Sequence, residues 1–133
     1  MATLTAQLNL DSKDLLTDRL SLITTASVTM ANTTGLARRP VTSTAKGTAS
    51  GQVTLYTADD FAAIAYLYVK NTSTTAANKI YIYDDTSTND PLIIQMNGGD
   101  WMWMPMHGDK TLKAYNPNGT SPVIEWMVFG TDQ

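Results

Sequence analysis

The chain has 133 residues, 43% hydrophobic and 16% charged, with a formal net charge of −3 and no cysteine. That length fits one domain whose core buries about two-thirds of the unfolded surface without disulfides, and the lack of thiols excludes thiolate zinc sites, iron–sulfur clusters and cysteine nucleophiles. The acidic balance, with Arg38-Arg39 as the only adjacent basic pair, argues against a nucleic-acid footprint, and no apolar stretch approaches the roughly 20 residues of a membrane span.

The opening, Met1-Ala2-Thr3-Leu4-Thr5-Ala6-Gln7, has neither the basic start nor the continuous apolar run of a signal peptide, so synthesis in the cytoplasm is expected. Strand periodicity begins there. Leu4, Ala6, Leu8 and Leu10 alternate with Thr3, Thr5, Gln7 and Asn9, giving an N-terminal strand or arm over 1–10. In 11–20, Asp11-Ser12 could cap a short helix in which Leu15, Leu16 and Leu20 share a face. Leu20, Leu22, Thr24, Ala26, Val28 and Met30 then alternate with Ser21, Ile23, Thr25, Ser27 and Thr29. A run this long is expected to bend or cross between sheets. Asn32-Thr33-Thr34-Gly35 closes it with turn chemistry.

Residues 38–51 are rich in Ser, Thr, Gly and Ala and read as a long loop with one edge strand. Gln52 to Tyr56 resumes a short strand, and Thr57-Ala58-Asp59-Asp60 could cap a single helical turn. The segments 65–70 and 79–83 flank a polar loop and predict a β-hairpin. Within it Leu67, Val69, Ile80 and Ile82 face one way, and Tyr66, Tyr68, Tyr81 and Tyr83 the other. A strand over 91–96 follows. Asn97-Gly98-Gly99-Asp100 then introduces Trp101-Met102-Trp103-Met104-Pro105-Met106. Alternation puts Trp101 and Trp103 on one face and the methionines on the other. Met102 and Met104 are expected to fill the core, and the tryptophans to be covered by another subunit. The last strands are 111–115 and 123–129, with Val123, Met127 and Phe129 opposite Ile124, Trp126 and Val128. The expected fold is all-β: a single-domain antiparallel β-sandwich of eight or nine strands over 1–133, jelly-roll-like.

Candidate chemistry is sparse. His107 is the only histidine and sits in a turn, so a triad or histidine-rich metal site is not expected. Asp84, Asp85, Asp90, Asp100 and Asp109 lie in loops without calcium-loop spacing and read as turn carboxylates. Asn97-Gly98-Gly99-Asp100 opens no helix and so forms no phosphate loop. No catalytic, metal or cofactor residue is assigned, and no enzyme is expected. The feature with functional content is the aromatic set Tyr66, Tyr68, Tyr81, Tyr83, Trp101 and Trp103. Such rings form an interface, stack on sugars, or close a second core layer. Few charges and a threonine content of roughly one residue in six suit a chain that packs against copies of itself.

Three segments carry a resemblance: Met1 to Leu8, the Tyr-x-Tyr-Val-Lys-Asn strand over 66–71, and the Gly-Gly-acid-aromatic turn and strand over 98–105. With the closing segment 123–129, they resemble small virion structural proteins of tailed bacteriophages, particularly those of marine and cyanobacterial hosts. The resemblance implies a capsid decoration or cement subunit with no catalytic residues. Its partners would be copies of itself in a homo-oligomer such as a trimer, and the major capsid or another virion protein, with no nucleic acid or membrane. The alternative is a neck, tail or fibre component, or a carbohydrate-binding module that uses the Trp/Tyr face for host adhesion.

Overall fold

The computed structural model describes residues 2–14, 19–30, 32–47, 50–58, 60–61, 64–86 and 89–130. They divide into two compact units, Met1–Ala31 and Asn32–Gln133. No helix occurs among the described residues. Period-two patterning and the abundance of Thr account for that.

The first unit is a two-stranded antiparallel ribbon, β1 (Ala2–Ser12) against β2 (Leu20–Met30). Pairing runs from Ala2↔Met30 to Ser12↔Leu20 with no register shift. The crossing between sheets considered for 20–30 therefore does not occur, because β2 pairs with β1 alone along its full length. Asp11 and Ser12 belong to β1 and Leu20 to β2, not to a helix; residues 15–18 of that expected element lie outside the described residues. Arg19 and Asp11 form an exposed ion pair at 3.0 Å.

The second unit carries β3 (Asn32–Thr33), β4 (Ala37–Pro40), β5 (Val53–Tyr56), β6 (Ile64–Asn71), β7 (Ile80–Asp84), β8 (Leu92–Met96), β9 (Trp101–His107), β10 (Leu112–Tyr115) and β11 (Val123–Gly130). Its pairs are nested: β7 with β8, β6 with β9, β5 with β10 and β4 with β11, all antiparallel. Two further pairings, β6 with β11 and β7 with β10, gather these into two sheets. One has the order β5-β10-β7-β8; the other has the order β3-β11-β6-β9, with β4 also on β11. Both contribute to one hydrophobic cluster. Leu67, Val69, Ile124, Trp126 and Val128 enter it from the larger sheet, and Val53, Leu55, Ile80, Ile82, Leu112 and Ala114 from the smaller.

The predicted hairpin over 65–83 is corrected here, since β6 and β7 belong to different sheets. Their apolar residues do share the core, but from opposite sides. Asn71 at the end of β6 is fully buried and shapes the crossover. Its side-chain amide donates to the Asn78 carbonyl at 2.7 Å, and its Oδ1 accepts the Ser73 N–H at 3.2 Å. Its backbone N–H donates to the Asp100 carbonyl at 2.9 Å. Gly98 passes so close to this loop that a Cβ there would lie 2.1 Å from the Thr75 carbonyl oxygen. Of the capping segment expected over 57–60, the Asp60 carboxylate accepts the Thr57 N–H at 3.3 Å and the Asp60 N–H donates to the Thr57 carbonyl at 3.3 Å, while residue 59 lies outside the described residues.

Candidate functional site

The outer face of the larger sheet is built by alternation on β6, β9 and β11. Odd positions of β9 place Trp101, Trp103 and Pro105 outward, while Met102, Met104 and Met106 pack against the core. This is the division of faces expected from the sequence. Strand register sets the rows. Arg38, Glu125, Lys70 and Trp101 lie side by side across β4, β11, β6 and β9. Met127, Tyr68 and Trp103 form the next row, followed by Phe129, Tyr66 and Pro105.

Trp103 is half-buried by its own chain. Its ring stacks on Tyr66 at 5.3 Å and 14°, and meets Phe129 at 5.4 Å and 55°. Trp101 differs, with 54% of its surface exposed. Leu36 is exposed to 58% and Val123 to 37%. Tyr66, diagonal to Trp103 on the neighbouring strand, and Phe129, one strand further across, reach its ring, so the chain itself covers part of Trp103, while the sequence expected both tryptophans to be covered mainly by another subunit.

A buried carboxylate lies among these rings. Glu125 Oε1 accepts a hydrogen bond from the Tyr68 hydroxyl at 2.9 Å, and Oε2 pairs with the Arg38 guanidinium. The Tyr68 hydrogen bond does most to hold Glu125 below the ordinary carboxylate range; burial opposes it, while Arg38 and Lys70 add to the lowering. Tyr68 is pushed up, first by burial and then by its bond to Glu125. Sequence reasoning missed this group. Its only signal was one acidic residue inside the apolar run 123–129 and a basic pair at Arg38-Arg39, 87 positions from Glu125 in the case of Arg38.

Tyr81 and Tyr83 do not join the other four aromatic residues. They lie on the smaller sheet, edge-on to Tyr115 at 5.4 Å and 5.8 Å. Tyr83 is fully buried. Its hydroxyl donates to Gln52 Oε1 at 2.9 Å and accepts the Gly47 N–H at 3.2 Å, so it fastens the loop before β5 to the sheet. The predicted six-residue face is thus split between two sheets, because β6 and β7 are not hairpin partners.

Elsewhere, polar groups serve local structure. His107 Nδ1 is 2.7 Å from Asp109 Oδ1, both side chains being exposed. Asp84 Oδ1 accepts the Thr86 N–H at 2.8 Å, and Oδ2 is 3.3 Å from Lys110 Nζ. Burial works to raise the Asp84 pKa, but the Thr86 hydrogen bonds and Lys110 outweigh it and the net shift is downward. Among the described residues no three His, Cys, Asp or Glu side chains converge as a metal site would require. No known protein family, curated protein or solved structure matches this chain.

Proposed function

We propose that the chain is a structural subunit of a bacteriophage virion, a capsid decoration or cement protein that stabilises the particle by apolar strand-face contacts with neighbouring subunits. The observation that carries the assembly role is the outer face of the larger sheet. There Trp101 stands exposed beside the Tyr66–Trp103–Phe129 stack, flanked by Arg38, Lys70 and the buried Glu125. Protein–protein contacts favour that composition: aromatic residues and arginine at the centre of the patch, with polar groups at its rim. The virion setting comes from the resemblance in segments 1–8, 66–71, 98–105 and 123–129.

Strand order supports a finer description of the second unit as a β-sandwich of jelly-roll type. Numbering β4 to β11 from one to eight, the sheets read 1-8-3-6 and 2-7-4-5. Nested pairs of this kind arise when one long hairpin is rolled into two Greek keys, an architecture that recurs in viral capsid and lectin domains. Glycan binding on the same face is the weaker reading. A sugar platform needs ring faces open to solvent, and Trp103 and Tyr66 stack on one another, leaving Trp101 alone.

The test is detection of the chain in purified virions of the phage that encodes it, followed by rebinding of recombinant protein to particles stripped of it. Trp101→Ala should weaken rebinding by at least about thirtyfold, since a central anchor contributes about 2 kcal/mol or more. Absence from virions, or rebinding that Trp101→Ala leaves unchanged, contradicts the proposal.

A further inference from the structure

One face of the ribbon is apolar apart from Thr24 and Ser12. Register puts Ala2, Leu4, Ala6, Leu8 and Leu10 opposite Met30, Val28, Ala26, Thr24 and Leu22 on a single side. Of these, Met30 is buried and Leu4, Ala6 and Val28 are half-buried, while Leu8, Leu10 and Leu22, toward the other end, are exposed to 37%, 44% and 46%. The other side carries Thr3, Thr5, Gln7, Asn9 and Asp11 against Thr29, Ser27, Thr25, Ile23 and Ser21. A lone two-stranded ribbon is at best marginally stable in water.

Among the described residues, neither outer edge of the ribbon is paired with another strand. β2 is 11 residues long with no charge, proline or glycine, and its pairing shows no bulge. Those are the devices by which sheet proteins protect an edge, so a long edge without them is built to be paired. The body offers no edge of matching length, since β5 has 4 residues, β8 has 5, and β9 has 7 interrupted by Pro105. A strand as long as β2 is found in β1, which has 11 residues.

We propose that three copies of the chain join their ribbons into a closed six-stranded antiparallel barrel about a threefold axis. β2 of each copy pairs with β1 of the next, and the apolar faces turn inward. This deepens the reading of the chain as an assembling subunit and rests on it. Two simpler arrangements each leave one surface bare. Stacking two ribbons face to face leaves all edges open. It also covers only roughly 36 Å by 10 Å of each face, at ~3.3 Å rise per residue and ~4.8 Å between strands, well short of the ~800 Å² per partner of a stable interface. Pairing β2 with β2 of one neighbour leaves the apolar side in water. A ring satisfies edges and face together, because all β1 strands run one way, all β2 strands the other, and every neighbour is antiparallel. Two copies provide too few strands to close around side chains. At six strands the interior is narrower than that of an eight-stranded barrel, and the directly opposed Ala6 and Ala26 suit that narrow waist.

Light scattering and native mass spectrometry of the full chain test this, with three times the 14.5 kDa chain mass as the expected result. Leu22→Asp, on the inward face, should raise the dissociation constant of the trimer at least tenfold while near-ultraviolet circular dichroism shows the body intact. Ile23→Asp, next to it on the outward face, should leave the trimer whole, as should Trp101→Ala. Hydrogen exchange provides a second readout. A lone ribbon leaves alternate β2 amides open to solvent, whereas the ring protects consecutive ones. Any stoichiometry other than three, equal effects of Leu22→Asp and Ile23→Asp, or alternate-amide exchange in the trimer overturns the proposal. A trimer missing from virions would sustain the ring and sink the virion reading; a monomer found in virions would do the reverse.

Discussion

Glu125 shows how one residue couples stability to pH on this face. Its carboxylate is nearly covered, with 9% of the side chain exposed, and the Tyr68 hydroxyl and Arg38 satisfy it. Asp84 on the other sheet is in the same position, held by Thr86 and Lys110. Both groups have folded pKa values below their ordinary ones. Protonation is therefore harder in the folded than in the unfolded chain. The stability they contribute is complete above the unfolded values of about 4.3 and 3.9 and is lost as pH falls through those values toward the folded ones. Thermal midpoints should hold steady from about pH 7 to about pH 5 and then drop; Glu125→Gln should start lower at neutral pH and drop less on acidification. A steeper acid loss in the variant would contradict this account. Met104 and Trp103 differ in role on the same strand. Met104→Ala opens space against the core and should cost about 2 kcal/mol, the lower end for a buried methionine because the site is half-covered. Trp103→Ala removes the ring contacts with Tyr66 and Phe129, so it should lower the thermal midpoint as well as rebinding to particles, whereas Trp101→Ala should affect rebinding alone.

At the scale of elements, alternation was legible and pairing was not. Period two divided β6, β9 and β11 into the two faces that the structure has; for β11, whose faces are both apolar in sequence, the structure decides that Ile124, Trp126 and Val128 point inward. The same pattern cannot tell a hairpin partner from a strand across the core, because both present apolar residues to the same interior. Thus β6 and β7 read as a hairpin, and the buried Asn71 that turns the chain from one sheet to the other looked like ordinary loop. Nor could spacing foretell that Arg38 and Glu125 are cross-strand neighbours, since long-range register joins them. The corner can be tested directly. Asn71→Ala strands the Asn78 carbonyl and the Ser73 N–H, and should cost about 1–3 kcal/mol in chemical denaturation. Gly98→Ala forces a methyl group onto the Thr75 backbone and should destabilise comparably or more. A neutral result for either would mean that the crossover can relax without them.

For the whole molecule, the division into Met1–Ala31 and Asn32–Gln133 separates a unit that holds the hydrophobic cluster from a two-stranded ribbon that contributes no residue to it. The body, as residues 32–133, should fold alone and unfold cooperatively on heating, while the ribbon by itself should show no cooperative transition. Exposed apolar area on Trp101, Leu36 and the ribbon, in a chain with 16% charged residues, is the common thread. Monomers seldom carry large contiguous apolar patches, and those they do carry mark contact sites. The most direct measurement of that claim is a cryo-electron-microscopy reconstruction of the virion at side-chain resolution. The account predicts density for this chain in multiple copies, with Trp101 and the surrounding sheet face buried against another virion subunit. Particles that lack the chain, or hold it with Trp101 facing solvent, would contradict it.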